Sequence, residues 1–141
     1  MFSLTLPTRH TDTFAATGFV HSGVLLALTE MAYAAYERHI EIEKPPKIVS
    51  VQVETHARYF MPLPWREGAE IRVRTVEASE EGFVQEFEIR SALTERLVAA
   101  ITHDWVWLDT DSGKRATIPA SVLRRLRDDL SVVSQNSIGI E

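Results

Sequence analysis

The chain has no cysteine, which removes disulfides, thiol nucleophiles and thiolate-bound metals together. It has no basic surplus either, with a formal charge of −5 over 141 residues. Its one basic cluster, RRLR at 124–127, is answered at once by Asp128 and Asp129, so no nucleic-acid partner is expected. A membrane span is also missing. The longest apolar stretch, 18–36, is near the minimum length and carries a carboxylate in its interior, so no membrane partner is expected. The opening residues MFSLTLPTRH lack the basic start and apolar run of a secretory leader, which makes a cytoplasmic location the expectation. No Gly-x-Ser-x-Gly occurs, against a serine hydrolase built on a nucleophile elbow. His10, His39 and His103 lack metal-ligand spacing to one another, so no metal site and no resident cofactor are expected.

What is present is an ordinary globular composition, 45% hydrophobic and 25% charged. It suffices for one domain with a real core, expected over 1–130, with 131–141 as a flexible tail. One segment stands out. From Gly18 to Tyr36 the sequence reads GFVHSGVLLALTEMAYAAY, and its ionisable groups of ordinary reactivity are His21 and Glu30. A helix apolar all round is a buried helix. An acid inside one pays for desolvation unless it is paired or has a task, and desolvation moves a carboxylate toward the range of a general base. Glu30 is therefore the first candidate for chemistry.

The periodicities order the rest. Residues 2–8 alternate as a strand, with Pro7 at its end or edge. A loop over 9–17 leads to a helix from about 22 to 39, with Ser22 as the expected N-cap. Pro45 and Pro46 stop it. The period then changes to two. Val49, Val51, Val53, Thr55, Ala57 and Tyr59 share one strand face, and MPLPW at 61–65 ends that strand. Further strands follow over 69–78 and, after a turn at SEEG, over 83–91; a turn at LTER leads into LVAAITHDWVWLD, apolar on both faces and so central, and PASVLRRLRDDL at 119–130 is a short amphipathic helix. Short connections imply antiparallel neighbours. One strand, one buried helix and four long strands make an α+β hot dog fold, an antiparallel sheet wrapped around one long buried helix, with a short C-terminal helix.

In detail the chain resembles the hot dog acyl-CoA thioesterases of the 4-hydroxybenzoyl-CoA thioesterase group, over roughly 2–120. The resemblance is carried by Arg9-His10-Thr11-Asp12-Thr13, by Gly18-Phe19-Val20-His21 and by Glu30. It continues in Tyr59, Pro62-Leu63 and Gly68, then in Val106-Trp107-Leu108-Asp109 and Ile118-Pro119. A second branch of the superfamily uses His-Gly-Gly with an acid nine residues after the histidine. His21-Ser22-Gly23 and Glu30 keep that spacing, with Ser22 replacing a glycine. In the first branch the second acid of an Asp-Thr-Asp loop is catalytic, but here Phe14 follows Thr13. The essential acid is thus Asp12, through a shifted loop, or Glu30, which is preferred.

The resemblance implies hydrolysis of acyl-CoA or aryl-CoA thioesters, with coenzyme A as part of the substrate. Glu30 or Asp12 would serve as base or nucleophile, and His21 would orient water or substrate. The helix N-terminus at Ser22 and Gly23, with Gly18 before it, would offer backbone donors to the thioester oxygen. Ser22 and Glu30 lie about 12 Å apart along one helix, so one carbonyl cannot touch both. The second group must come from another copy, which makes a homodimer, further paired into a tetramer, the expected state. The rival functions are a hot dog hydratase or dehydratase, and a non-catalytic acyl-CoA binding protein of the same fold.

Overall fold

The computed structural model describes residues 1–14 and 17–138, with side chains described through residue 130. Strand β1 (Phe2–Leu6) comes first, and a short 3₁₀ turn (His10–Asp12) precedes helix α1 (Ser22–His39). Strands β2 (Ile48–Tyr59), β3 (Ala69–Ser79), β4 (Gly82–Ser91) and β5 (Leu97–Asp109) follow, then the two-residue β6 (Arg115–Ala116) and helix α2 (Ala120–Ile138). The strands form one sheet in the order β1-β3-β4-β5-β2, with β6 on β5. β1 runs antiparallel to β3, pairing Phe2 with Val73 and Leu6 with Ala69, and stops before Pro7, which has no N–H to offer. This is the hot dog fold that the element order predicted.

β5 is central, as its two-sided apolar pattern required. Val98, Ala99, Ile101, Trp105, Val106 and Trp107 are all buried. β2 takes an edge, and its side chains from Val53 to Tyr59 are exposed.

The chain divides into two compact units, interleaved along the sequence. The first gathers 1–36, 56–73 and 87–101, and the second 37–55, 74–86 and 102–141. In the first unit, α1 buries Leu25, Leu28, Thr29, Ala32, Tyr33 and Tyr36, a stripe at helical spacing. Tyr36 meets Phe2 edge to face at 6.0 Å. The expectation of a helix buried on every side is corrected here. Gly23, Ala27, Glu30, Met31 and Ala34 form the opposite stripe and are exposed, Met31 by 52%. One sheet covers one side of a cylinder, so an apolar sequence on the other side does not by itself produce burial. Glu30 lies on this outward stripe and is exposed within the chain.

The core of the second unit holds Phe83, Trp105, Trp107 and Ile118, with Val122, Leu123 and Leu126 of α2. It also contains polar groups. Buried His103 shares a hydrogen bond of 2.8 Å with the Thr55 hydroxyl and meets Trp105 edge to face at 5.5 Å. Gln85 Nε2 donates to Thr75 Oγ1 at 3.3 Å. Burial penalises the imidazolium and holds His103 below the usual histidine range. The α2 backbone continues past the amphipathic pattern to Ile138, and residues 139–141 of the expected tail lie outside the described residues. Among the described residues no helix is long and apolar enough to cross a membrane.

Candidate active site

The start of α1 is fixed by a chain of backbone hydrogen bonds within the first unit. Gly18 sits at φ +78°, a left-handed conformation open to glycine, and its carbonyl accepts from Trp65 N–H at 3.1 Å. Val20 N–H donates to Leu63 C=O at 2.8 Å, and Phe19 bridges to Pro64. His21 N–H donates to the Asp12 carbonyl at 3.1 Å. Sequence-distant segments around 12, 20 and 63 thus meet at one helix end. The MPLPW stretch, read from sequence as a strand terminator and, at Pro62-Leu63, as part of the family resemblance, packs against the helix start.

The helix cap differs from expectation. Ser22 is the first helical residue, and His21 is the cap: its carbonyl accepts from Val24 and Leu25, and its Nδ1 accepts from Gly23 N–H at 3.1 Å. An imidazole acceptor replaces the hydroxyl cap the sequence suggested. A side chain on Gly23 would bring its Cβ within 2.9 Å of the His21 ring, so this cap needs a glycine two residues on. The Gly23 N–H, expected as an oxyanion donor, is engaged by His21. Ser22 N–H has no partner among the described residues.

Asp12 ends the short 3₁₀ turn, and its Oδ2 accepts from Arg9 N–H at 2.8 Å. The structure therefore gathers Asp12, Gly18, His21, Ser22 and Gly23 around one helix terminus. It leaves Glu30 two turns further along α1, as the helical rise demands.

Beside this terminus opens a cleft of about 340 Å³, lined by Val20, Ser22, Leu25, Tyr59, Phe60 and Met61 among others. It is an apolar recess with helix-end donors at its mouth, the composition of a small-molecule site. A second cleft of about 250 Å³ shares Met61 and Pro62 with it and continues over Phe19 and Pro64 toward Glu67, Ser91 and Arg96. Neither cleft was legible as such in the sequence. Their walls combine residues from α1, the end of β2 and the β4–β5 turn, which no local pattern connects. Among the described residues no group of three or more His, Asp or Glu side chains is placed to hold a metal ion.

Residues 10–126 match the family profile of the thioesterase-like superfamily, and the chain belongs to that superfamily. No curated protein matches it by sequence. Among solved structures it is similar to a 1,4-dihydroxy-2-naphthoyl-CoA thioesterase from Synechocystis, at 18% identity over 90% of this chain and 96% of that one, with a TM-score of 0.78. It is similar to the DHNA-CoA thioesterase from Staphylococcus aureus, at 14% identity over 99% and 94%, with a TM-score of 0.80. A thioesterase from Thermus thermophilus, solved with coenzyme A and Zn, shares 21% identity over 92% and 94%, with a TM-score of 0.76. At these identities the likeness establishes the fold.

Proposed function

We propose that the protein hydrolyses acyl-CoA thioesters, with the acyl group seated in the Tyr59–Phe60 cleft and the carbonyl at the start of α1. The observation that carries this is the coincidence of an apolar cleft with a helix N-terminus whose Ser22 N–H has no partner among the described residues. Backbone donors at a positive dipole end stabilise the oxyanion that forms when a thioester carbonyl is attacked. Membership of the thioesterase-like superfamily supports the reaction class, and the neighbours that act on aromatic acyl-CoA esters support a ring-sized acyl group.

Water must be activated, or the carbonyl attacked directly, by a carboxylate. Glu30 takes this role in our mechanism, supplied by a second copy of the chain. Its distance from Ser22 along α1 forbids both acting from one chain on one carbonyl, and it lies on an exposed apolar stripe suited to being covered. The exposed edge of β2, with Val53 49% and Tyr59 50% exposed, supports pairing with another copy. The unit is a homodimer, paired further into a tetramer. Asp12 is the alternative acid, held beside His21 by one backbone hydrogen bond. His21 positions the Gly23 amide, which a substrate oxygen gains by displacing the imidazole. No cofactor beyond the coenzyme A of the substrate is invoked.

A second reading rests on that same contact. With Gly23 N–H already bound to His21, the cleft would hold an acyl-CoA without turning it over. A thiol-release assay over short, long and aromatic acyl-CoA esters decides. Turnover of at least one class is expected, and binding without release of free CoA from any of them would favour the non-catalytic reading.

A further inference from the structure

The two clefts share Met61 and Pro62, and one exposed arginine, Arg96, lines the second. Of the five other arginines in the first unit, four have partners. Arg72 pairs with Glu70 at 2.7 Å and Arg90 with Glu88 at 3.1 Å. Arg58 lies over the Phe60 ring at 5.5 Å and Arg66 over Trp65 at 4.8 Å. The Arg96 guanidinium lines the second cleft and has no hydrogen-bond, ion-pair or ring partner among the described residues.

The turn that presents Arg96 is held from several sides. The Ser91 hydroxyl oxygen accepts from Leu93 N–H at 3.2 Å and Thr94 N–H at 3.0 Å. Ser91 and Arg96 close the turn through Ser91 N–H to Arg96 C=O at 3.0 Å. Glu95 is forced to φ +64°, a conformation non-glycine residues seldom adopt. Arg90 Nη1 holds it there through the Glu95 carbonyl at 3.0 Å. A strained residue fixed by its neighbours, next to an unpaired cation in a cleft, points to a purpose for that cation.

We infer that the second cleft carries the pantetheine arm of coenzyme A and that Arg96 is its phosphate anchor, the acyl group lying in the first cleft across the Met61–Pro62 ridge. This rests on the acyl-CoA reading above and sets the polarity of the substrate in the site. The apolar walls at Phe19, Pro64 and Val98 suit the aliphatic parts of the arm. Glu67 lies in the same cleft, but its Oε1 accepts from the Ser91 hydroxyl at 2.6 Å. A carboxylate there repels phosphate, which places the phosphates at the outer, Arg96 end. A guanidinium matches phosphate oxygens in a two-pronged way that an ammonium does not.

The test compares wild type, Arg96→Ala and Arg96→Lys on one acyl group carried by coenzyme A and by N-acetylcysteamine, which lacks the phosphates. Arg96→Ala is expected to raise KM for the CoA ester about tenfold with kcat unchanged, the mark of lost uniform binding. It should leave both constants unchanged for the short thioester, and Arg96→Lys should recover part of the loss. Equal KM values for the CoA ester in wild type and Arg96→Ala would overturn the anchor. Equal losses on both esters would also overturn it, since they would make Arg96 structural. Should wild type cleave neither ester, hydrolysis falls but the anchor is still decided by titration calorimetry. CoA binding about tenfold weaker in Arg96→Ala, with pantetheine binding unchanged, sustains it; equal CoA affinity, or no CoA binding to wild type, ends it.

Discussion

The two compact units each take part of β2, β3, β4 and β5, yet they differ in how they treat charge. The first has as many arginines as carboxylates and no lysine, whereas the second holds every lysine and the whole acidic surplus. Their helices differ likewise. α2 buries Val122, Leu123 and Leu126 and turns Arg124, Arg125, Arg127 and Asp128 outward. α1 buries an equally regular stripe but turns Gly23, Ala27, Met31 and Ala34 outward, with Glu30 among them. α2 is finished as a surface within one chain. The outward face of α1 is an apolar surface around one acid, which costs exposed apolar area unless something covers it. All the candidate site residues, Asp12, Gly18, His21, Ser22, Gly23 and Glu30, fall in the first unit. The second keeps its polar groups inside, as Thr55–His103 and Gln85–Thr75. The contrast is one of placement: the candidate site residues and an uncovered apolar helix face lie in one unit, and a core with buried polar pairs lies in the other.

The strongest way to break this contrast is at Glu30. Glu30→Gln keeps the shape and removes the proposed base, so turnover of acyl-CoA should fall by roughly 10²–10⁴. Thermal stability should hold, since the side chain is exposed within the chain. If turnover stays within a few-fold of wild type while Asp12→Asn abolishes it, the acid is Asp12.

The next effect tests the cover over α1. Met31→Lys places an ammonium on the outward stripe, and a charge buried at an interface costs several kcal/mol, so self-association should weaken by roughly a hundredfold or more. Sedimentation and turnover should fall together. Arg124→Ala, on the outward face of α2, should leave both unchanged. Equal behaviour of the two variants would erase the contrast between the helices.

The smallest effect belongs to the second unit. Because burial lowers the His103 pKa from its ordinary 6.5, the unfolded chain takes up this proton before the folded one does. The His103 contribution to stability is therefore complete above about pH 6.5 and is lost as pH falls toward the lowered folded value. His103→Phe should cost about 1–2 kcal/mol near neutrality through the lost hydrogen bond. It should also flatten the acid side of the stability profile, read by denaturant melts across pH. Turnover per folded molecule should not change; a loss there would tie the second unit to the chemistry.

Much of this protein was determined by its sequence alone, because strand and helix periods are local. The α1 limits at 22 and 39 follow from a polar loop before and prolines after, and β5 is central because both its faces are apolar. His21, Ser22 and Gly23 were legible as a helix start and Asp12 as a candidate loop acid, but that Asp12 reaches that helix start is a finding of the structure. Tertiary structure alone decided the rest. Periodicity reports that α1 is apolar on every side but not which side the sheet covers, so Glu30 was read as buried and stands exposed. Hydroxyl preference named Ser22 as the cap, but the hydrogen bond from His21 N–H to the Asp12 carbonyl places the imidazole over Gly23 instead. The clefts and Arg96 had no sequence signal. They arise where residues far apart in the chain meet, and only folding brings such residues within reach.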